Sequence, residues 1–462
     1  MPEGANSRLS GRATADGTAT TAARFGAASR TLGITGLHCS PLAFAAHGVR
    51  ADDVLHARAL HLALRSGVNV IATDGRDGDG DGDGDGIGER LVGRVLAEAV
   101  AAEIVPRGGV IVLAGIDCRD APSPALATAR LEQTRARLAL QHLDVAILQL
   151  DAPPTAALVD WLQDEVDRGT VGAWGLSCDG FAAESGTAGA VSAAAVLAGI
   201  DAHCRARHRP VALAMPLGPL QLGAALHREG AGPTSVEVAA AGGLAVLAHR
   251  SVRGDVPAPA SPRLVEPHGD PPALAAALAQ VRKLEAAWSV DLGLRLRTDA
   301  GDARDLFRWG QLLSQPGAHR TEAEQWQRLR HDVIAPHVGQ TSKALLAHLQ
   351  AGDRDTFARW WQAYGTALHA VFVHIEAGLG AVSPQRRIAV AMDPWLPPPW
   401  RELPLPCRAV GVALAAGATT VLVGMRTPAR VSQLLAIGSA PLVGPIPVDA
   451  LAVALAQGAR TP

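Results

Sequence analysis

Short apolar runs alternate with amphipathic stretches over the first half of the chain. Val68–Thr73, Gly109–Ala114, Asp144–Leu150 and Gly172–Ser177 read as buried strands, and Val211–Leu217 and Leu244–His249 continue the series. Between them, residues 53–66, 88–102 and 125–140 place apolar positions at helical spacing. Alternation of this kind means parallel strands joined by crossover helices. With some eight strands the sheet can close into a (β/α)8 TIM barrel, whose active groups would sit on loops at the C-terminal strand ends.

After Gly254 the pattern changes. A Pro-rich linker, 256–272, leads into long helical patterns that run to about Leu379, and a second Pro-rich stretch, 394–406, ends them. Strand–helix alternation then returns with a helix near 407–416, the strand Thr419–Gly424 and a helix from Thr427. The predicted organisation is a disordered tail (1–30), the first part of a barrel (31–254), linkers with an α-helical insertion (255–400) and the last part of the barrel (401–462). The insertion also collects the aromatics: residues 281–400 hold seven of the nine Trp, three of the six Phe and the one Tyr.

Bulk properties narrow the chemistry. At 462 residues and 48% hydrophobic, the chain can bury a large core. A net charge of −2 gives no basic field for nucleic acid. Five scattered cysteines without CxxC spacing argue against a disulfide framework or structural zinc, and fit a reducing cytoplasm. The first thirty residues lack the apolar core of a signal peptide, and the longest apolar stretch, 188–200, is too short to span a bilayer. A soluble cytoplasmic protein is expected. Only two of the 42 basic residues are lysines, Lys283 and Lys343, and the single tyrosine is Tyr364. Any mechanism needing a phenol or an ammonium must draw on those three positions.

Several segments resemble the aldo/keto reductase superfamily, a (β/α)8-barrel group that uses NADP. Gly36-Leu37-His38-Cys39-Ser40-Pro41-Leu42-Ala43-Phe44-Ala45 resembles its opening G-L-x-V-S-x-L-G-F-G, with Ala43 and Ala45 for the last two glycines. Gly67–Thr73 is similar to G-V-N-F-I-D-T, Gly88–Gly93 to S-E-R-x-x-G, and Arg137–Asp144 to R-L-G-L-D-H-L-D. Arg168–Ser177 resembles G-K-V-R-x-x-G-V-S, and Val421–Pro428 resembles the late phosphate-binding segment V-L-V-G-M-R-x-P. The matches span roughly 31–254 and 401–440, in order.

The resemblance implies carbonyl reduction by a Tyr, Lys, Asp and His. The Tyr protonates the substrate oxygen as hydride arrives from the nicotinamide, the Lys lowers its pKa, the Asp pairs with the Lys, and the His orients the carbonyl. Carried over position by position, all four are replaced: Ala72 stands for the Asp, Asp77 at or near the Tyr, Gly115 at or beside the Lys, and Gln149 for the His. A phenol–ammonium pair could be rebuilt only if the insertion folded over the barrel mouth. The cofactor contacts implied by the family fall on Ser177, followed by Cys178 in place of a polar residue, and on His249 in place of a stacking aromatic. Its carboxamide-binding Gln maps to Ala212 or Ala214. Gly424, Arg426, Thr427 and Arg430 match the phosphate segment best. There Thr427-Pro428 forms an N-cap and N1 pair, either an anion site or an ordinary capped helix.

Other candidates each have a plainer alternative. The five Asp-Gly repeats of 77–86 open like a Ca²⁺ loop, but the twelfth position is Gly88 where a Glu is needed, so a solvated repeat is expected. His38, Cys39, Cys118, Cys178 and His249 could converge at the mouth for thiol or metal chemistry, or simply fill a vacated site. Cys204 and His208 lie one turn apart on a predicted helix, too few ligands for a metal. Trp360, Trp361, Tyr364 and Phe372 follow helical spacing, as a helix core or, where exposed, a partner surface. The expected function is therefore an aldo/keto-reductase-like pseudoenzyme that binds a small ligand or, through the helical insertion, a partner protein. The alternative is an NADP-dependent oxidoreductase with a substituted site, or a barrel repurposed for non-redox chemistry.

Overall fold

The computed structural model describes residues 8–460 apart from 27–28, 47–53, 75–85, 229, 253–270, 291–296, 299–300, 303–305, 316–325, 327–328, 382–383 and 442. Eight parallel strands close a barrel. They are β1 (Leu42–Ala45), β2 (Val70–Thr73), β3 (Ile111–Asp117), β4 (Leu143–Gln149), β5 (Val171–Ser177), β6 (Ala212–Pro216), β7 (Ala245–His249) and β8 (Thr420–Gly424). Closure runs through β8, which pairs Val421 with Leu42 on β1 and Val421 with Ala248 on β7. Seven of the eight strands coincide with the apolar runs read from the sequence. β1 escapes a periodicity test because Leu-Ala-Phe-Ala is too short and too uniformly buried to show one.

The helices begin where the sequence supplies caps. Ser123, Thr155, Ser192 and Thr427 each accept a backbone N–H from the first turn, and Thr234 with Glu237 forms a full capping box. Inside the barrel the filling is small and aliphatic, with Ala43, Val70, Ala72, Ile111, Leu113, Val145, Ile147, Ala212, Ala214, Ala245 and Leu247 packed together. No aromatic ring belongs to this inner cluster among the described residues. Trp174 alternates outward on β5 and donates its indole N–H to His208 O at 2.7 Å.

Residues 8–26 correct the expectation of a disordered tail. Ala15–Ala22 is a helix capped by Thr14, and Arg30–Thr31 pairs antiparallel with His38–Cys39. Two buried polar residues of the strand starts hold this segment. Asp144 accepts from Ala13 N (2.6 Å), Arg107 Nη2 (2.9 Å) and Val112 N (2.9 Å). Asn69 donates to His38 O (2.8 Å) and Thr18 O (3.2 Å) and accepts from Ser40 N (2.8 Å). The small residues that looked like low complexity are what close packing requires: a Cβ on Gly17 would lie 2.5 Å from Gly108 O.

The chain divides into two compact units, residues 1–264 with 389–462, and residues 265–388. The insertion is thus narrower than the expected 255–400, because the end of that span packs with the barrel. Trp400 donates to Pro441 O (2.7 Å), and its ring lies where a side chain on Gly411 would be. The second unit contains the helices Pro271–Val290, Ala335–His348 and Ala351–Ala381. They enclose a core of Trp288, Phe307, Trp326, Phe357, Tyr364 and Phe372. Among the described residues, no helix is long and apolar enough to cross a membrane.

Candidate functional site

The C-terminal strand ends surround a cavity of about 310 Å³. Its floor is apolar, formed by Ala45, Ala72, Leu113, Ile147, Ala214, Leu247 and Leu422, and its walls are Asp74, Arg119, Gln149, Ser177, Asp179, His249 and Arg250. A concave apolar pocket with few polar groups at the C-terminal face is where a barrel binds small molecules.

Three of the positions onto which the resemblance carries the tetrad fall in or beside this cavity. Ala72 lies on the floor. Gly115 follows Leu113 on the inner face of β3, and Gln149 follows Ile147 on β4. Gln149 Nε2 donates to Asp74 O at 2.7 Å, tying the end of β4 to the residue after β2. The bridge passes directly over Gly115: a Cβ there would lie 2.6 Å from Asp74 C, 2.7 Å from Gln149 Nε2 and 2.7 Å from Thr73 O. Two of those atoms are backbone and cannot swing aside. Any side chain at position 115 would have to displace them. Asp77, the fourth position, lies outside the described residues, as do the Asp-Gly repeats up to Asp85.

The one phenol does not repair this. Tyr364 belongs to the insertion unit, is fully buried there, and donates to Glu285 at 3.1 Å. Burial, with Glu285 beside it, raises its pKa and keeps the phenol neutral. Lys283 and Lys343 are exposed residues of the same unit, so the barrel unit has neither residue type. The aromatic stripe is core: Tyr364 and Phe372 are buried, with Trp360 and Trp361 half-buried against them.

Charged groups of the mouth come as pairs. Arg119 clasps Asp117 through Nε (2.8 Å) and Nη2 (2.5 Å), which raises the Arg119 pKa. Arg250 donates to Asp179 at 2.7 Å, and His249 Nε2 stands 3.7 Å from the same carboxylate. Arg250 adopts φ of 57°, a left-handed backbone that turns the chain sharply at the end of β7. None of Asp74, Asp117, Arg119, Asp179 or Arg250 was singled out from the sequence. Their common signal is position, each within two residues of a strand's C-terminal end.

The thiol and imidazole cluster does not assemble. His38 and Cys39 lie on the hairpin at the N-terminal end, where Cys39 Sγ donates to Arg30 O. Cys118 and Cys178 follow β3 and β5 but are buried, and burial pushes each thiol up to about 11, far from a reactive thiolate. Among the described residues no three His, Cys, Asp or Glu side chains could hold a metal. Cys204 and His208 sit beyond the helix that ends at Asp201, and each is engaged locally: Cys204 Sγ donates to His208 O (3.0 Å), and His208 Nε2 is 3.1 Å from Asp167.

The expected cofactor residues divide. Ser177, His249 and Gly424 line the cavity, while Arg426 is exposed and Thr427 and Arg430 are half-buried at the next helix. That helix start is a weak anion cradle. Pro428 has no N–H, Thr427 Oγ1 accepts from Arg430 N (3.2 Å), and Arg430 Nη1 is given to Gln433 (2.6 Å). Ala429 N–H is the amide left over in the first turn. The residues present fit a ring-sized group in the cavity better than the phosphates of a dinucleotide.

No protein-family model matches the chain, and no curated protein does. Solved structures similar to it include the aldo-keto reductase AKR11C1 from Bacillus halodurans in its holo form, at 14% identity, TM-score 0.46, and coverage of 94% of this chain and 96% of that one. The glycerol dehydrogenase AKR11B4 from Gluconobacter oxydans aligns at 16% identity and TM-score 0.47, over 94% of this chain and 96% of that one. The aldose reductase from Schistosoma japonicum aligns at 17% identity and TM-score 0.36, over 48% of this chain and 68% of that one. Likeness this loose carries nothing about the chemistry of this chain.

Proposed function

We propose that this is an aldo/keto-reductase-like barrel that binds a small ligand at its mouth and does not reduce carbonyls by phenol proton transfer. The observation that carries this is the Gln149–Asp74 bridge over Gly115, in a unit that holds no tyrosine and no lysine. Hydride addition to a carbonyl leaves an alkoxide that needs a proton. The hydroxyl of Ser177, the amide of Gln149 and the paired guanidinium of Arg119 can hydrogen-bond a ligand, but none is an acid suited to neutral pH. The resembling segments support the family reading, since five of the six lie on or beside barrel strands β1, β2, β4, β5 and β8, and Gly88–Gly93 opens the helix Ile87–Ala101.

A second reading, a substituted NADP-dependent oxidoreductase, is favoured by His249, an imidazole that lines the cavity. Titrating the full chain with NADPH, followed by tryptophan fluorescence, separates the two. Absence of saturable binding up to millimolar cofactor would rule out the second. Tight binding, with aldehyde turnover that disappears in His249→Gln, would establish the second.

A further inference from the structure

Among the described residues, each ionised group on the cavity wall already has a partner. Arg119 clasps Asp117, Arg250 donates to Asp179, and His249 stands 3.7 Å from that same carboxylate. Asp74 is engaged as well. An ionised ligand would shed its hydration to meet charges that are already paired, and each pair would repel it with one of its members. A neutral polar ligand escapes both costs.

Two wall groups keep hydrogen-bonding capacity, and of opposite kinds. Asp117 takes Nε and Nη2 of Arg119, so among the described residues Nη1 still has hydrogens to donate. Gln149 Nε2 donates to Asp74 O at 2.7 Å. A backbone carbonyl can only accept, so this contact fixes the orientation of the amide and leaves Oε1 as an acceptor. Both side chains line the cavity, and Asp117 and Gln149 are register partners on β3 and β4. Neighbouring strands lie about 4.8 Å apart, so the donor and the acceptor come to one wall from adjacent strand ends.

A matching ligand carries an acceptor and a donor on one edge. An open-chain secondary amide does not, because its favoured trans form turns N–H and C=O in opposite directions. A small ring enforces the cis amide, which turns both to the same side and leaves an aliphatic back. At about 310 Å³ the cavity has room for such a ring, and its floor is apolar.

We propose that the mouth binds a neutral lactam with an aliphatic ring. Arg119 Nη1 donates to the lactam carbonyl, the lactam N–H donates to Gln149 Oε1, and the ring methylenes lie on Leu113, Ile147 and Leu247. This rests on the ligand-binding reading above and names the class of ligand. Ligand-observed NMR titration of the full chain compares ε-caprolactam with N-methylcaprolactam, which lacks the N–H, and with cycloheptanone, which keeps only the carbonyl. A further probe, 6-aminohexanoate, is the same chain opened into an ammonium and a carboxylate. Caprolactam is expected to bind saturably, the N-methyl lactam and the ketone about tenfold more weakly, and 6-aminohexanoate not at all. In Arg119→Met, where Asp117 keeps a further interaction, affinity for lactam and ketone should fall by a similar factor, about tenfold, with their ratio unchanged.

Equal affinity for caprolactam and cycloheptanone, or 6-aminohexanoate binding as tightly as the lactam, would overturn the assignment. So would an unchanged lactam affinity in Arg119→Met; should that variant fail to fold, the probe series on the native chain decides alone. No lactam binding would overturn the assignment while leaving the ligand-binding reading intact. That parent reading falls separately, to NADPH-dependent aldehyde turnover.

Discussion

Gly115→Ala adds one methyl group at the most crowded point of the mouth. Its Cβ would lie 2.6 Å from Asp74 C and 2.7 Å from both Thr73 O and Gln149 Nε2. Two of the three neighbours are backbone atoms of the closed sheet, so relief requires β2 to shift or Gln149 to let go of Asp74 O. Overpacking of this kind costs about 1–3 kcal/mol. Loss of the bridging hydrogen bond adds roughly 1 kcal/mol. Together the substitution should destabilise the barrel by about 2–4 kcal/mol. Hydrogen exchange followed by mass spectrometry reads this locally and avoids treating a two-unit chain as one transition. Peptides covering β2 and β3 should lose protection, while peptides from Ala351–Ala381 should not. Gln149→Ala in the same background should restore only part of the loss, because the Asp74 and Thr73 contacts remain. Unchanged protection of β2 and β3 in Gly115→Ala would refute the claim that this position is closed.

Other consequences are as concrete. Asp144→Asn should cost about 3–5 kcal/mol, because it leaves the buried Arg107 guanidinium uncompensated; exchange should rise over residues 9–22 together with the strand starts. Thr427→Ala should cost about 1 kcal/mol through loss of the N-cap, read by urea denaturation. Burial raises the pKa of Glu285 in the folded insertion, so its contribution is full below the ordinary carboxylate range and is lost as pH rises through the folded pKa. Urea midpoints of the insertion should therefore fall from acid toward neutral pH more steeply in the native chain than in Glu285→Gln; parallel pH profiles would contradict this.

The barrel was legible because its signal is repetitive. Buried parallel strands are apolar throughout, and runs such as Asp144–Leu150 and Leu244–His249 announce themselves by length and spacing. Residues 8–26 were misread because composition cannot distinguish a loose tail from a tightly packed one. Gly17 and Thr18 look like low complexity until Gly108 O and Asn69 are placed against them. The same limit hid the Gln149–Asp74 bridge across the mouth. Gly115 and Gln149 registered as substitutions at expected positions, but a hydrogen bond from residue 149 to residue 74 has no local signature. Arg119 and Asp179 were invisible for a related reason, since their pairing depends on where the loops after β3 and β5 turn. Cys39 shows the reverse error: nearness to a strand in sequence did not say which end of the barrel it would occupy.

The central proposal, that the barrel does not reduce carbonyls by phenol proton transfer, is tested most directly by looking for the alcohol. The full-length protein is incubated with excess NADPH and a panel of aliphatic, aromatic and sugar aldehydes, and the products are quantified by mass spectrometry against protein-free controls. The predicted result is no alcohol above control for any aldehyde. Multiple-turnover alcohol formation that saturates with aldehyde and survives replacement of Tyr364 by Phe would contradict the account.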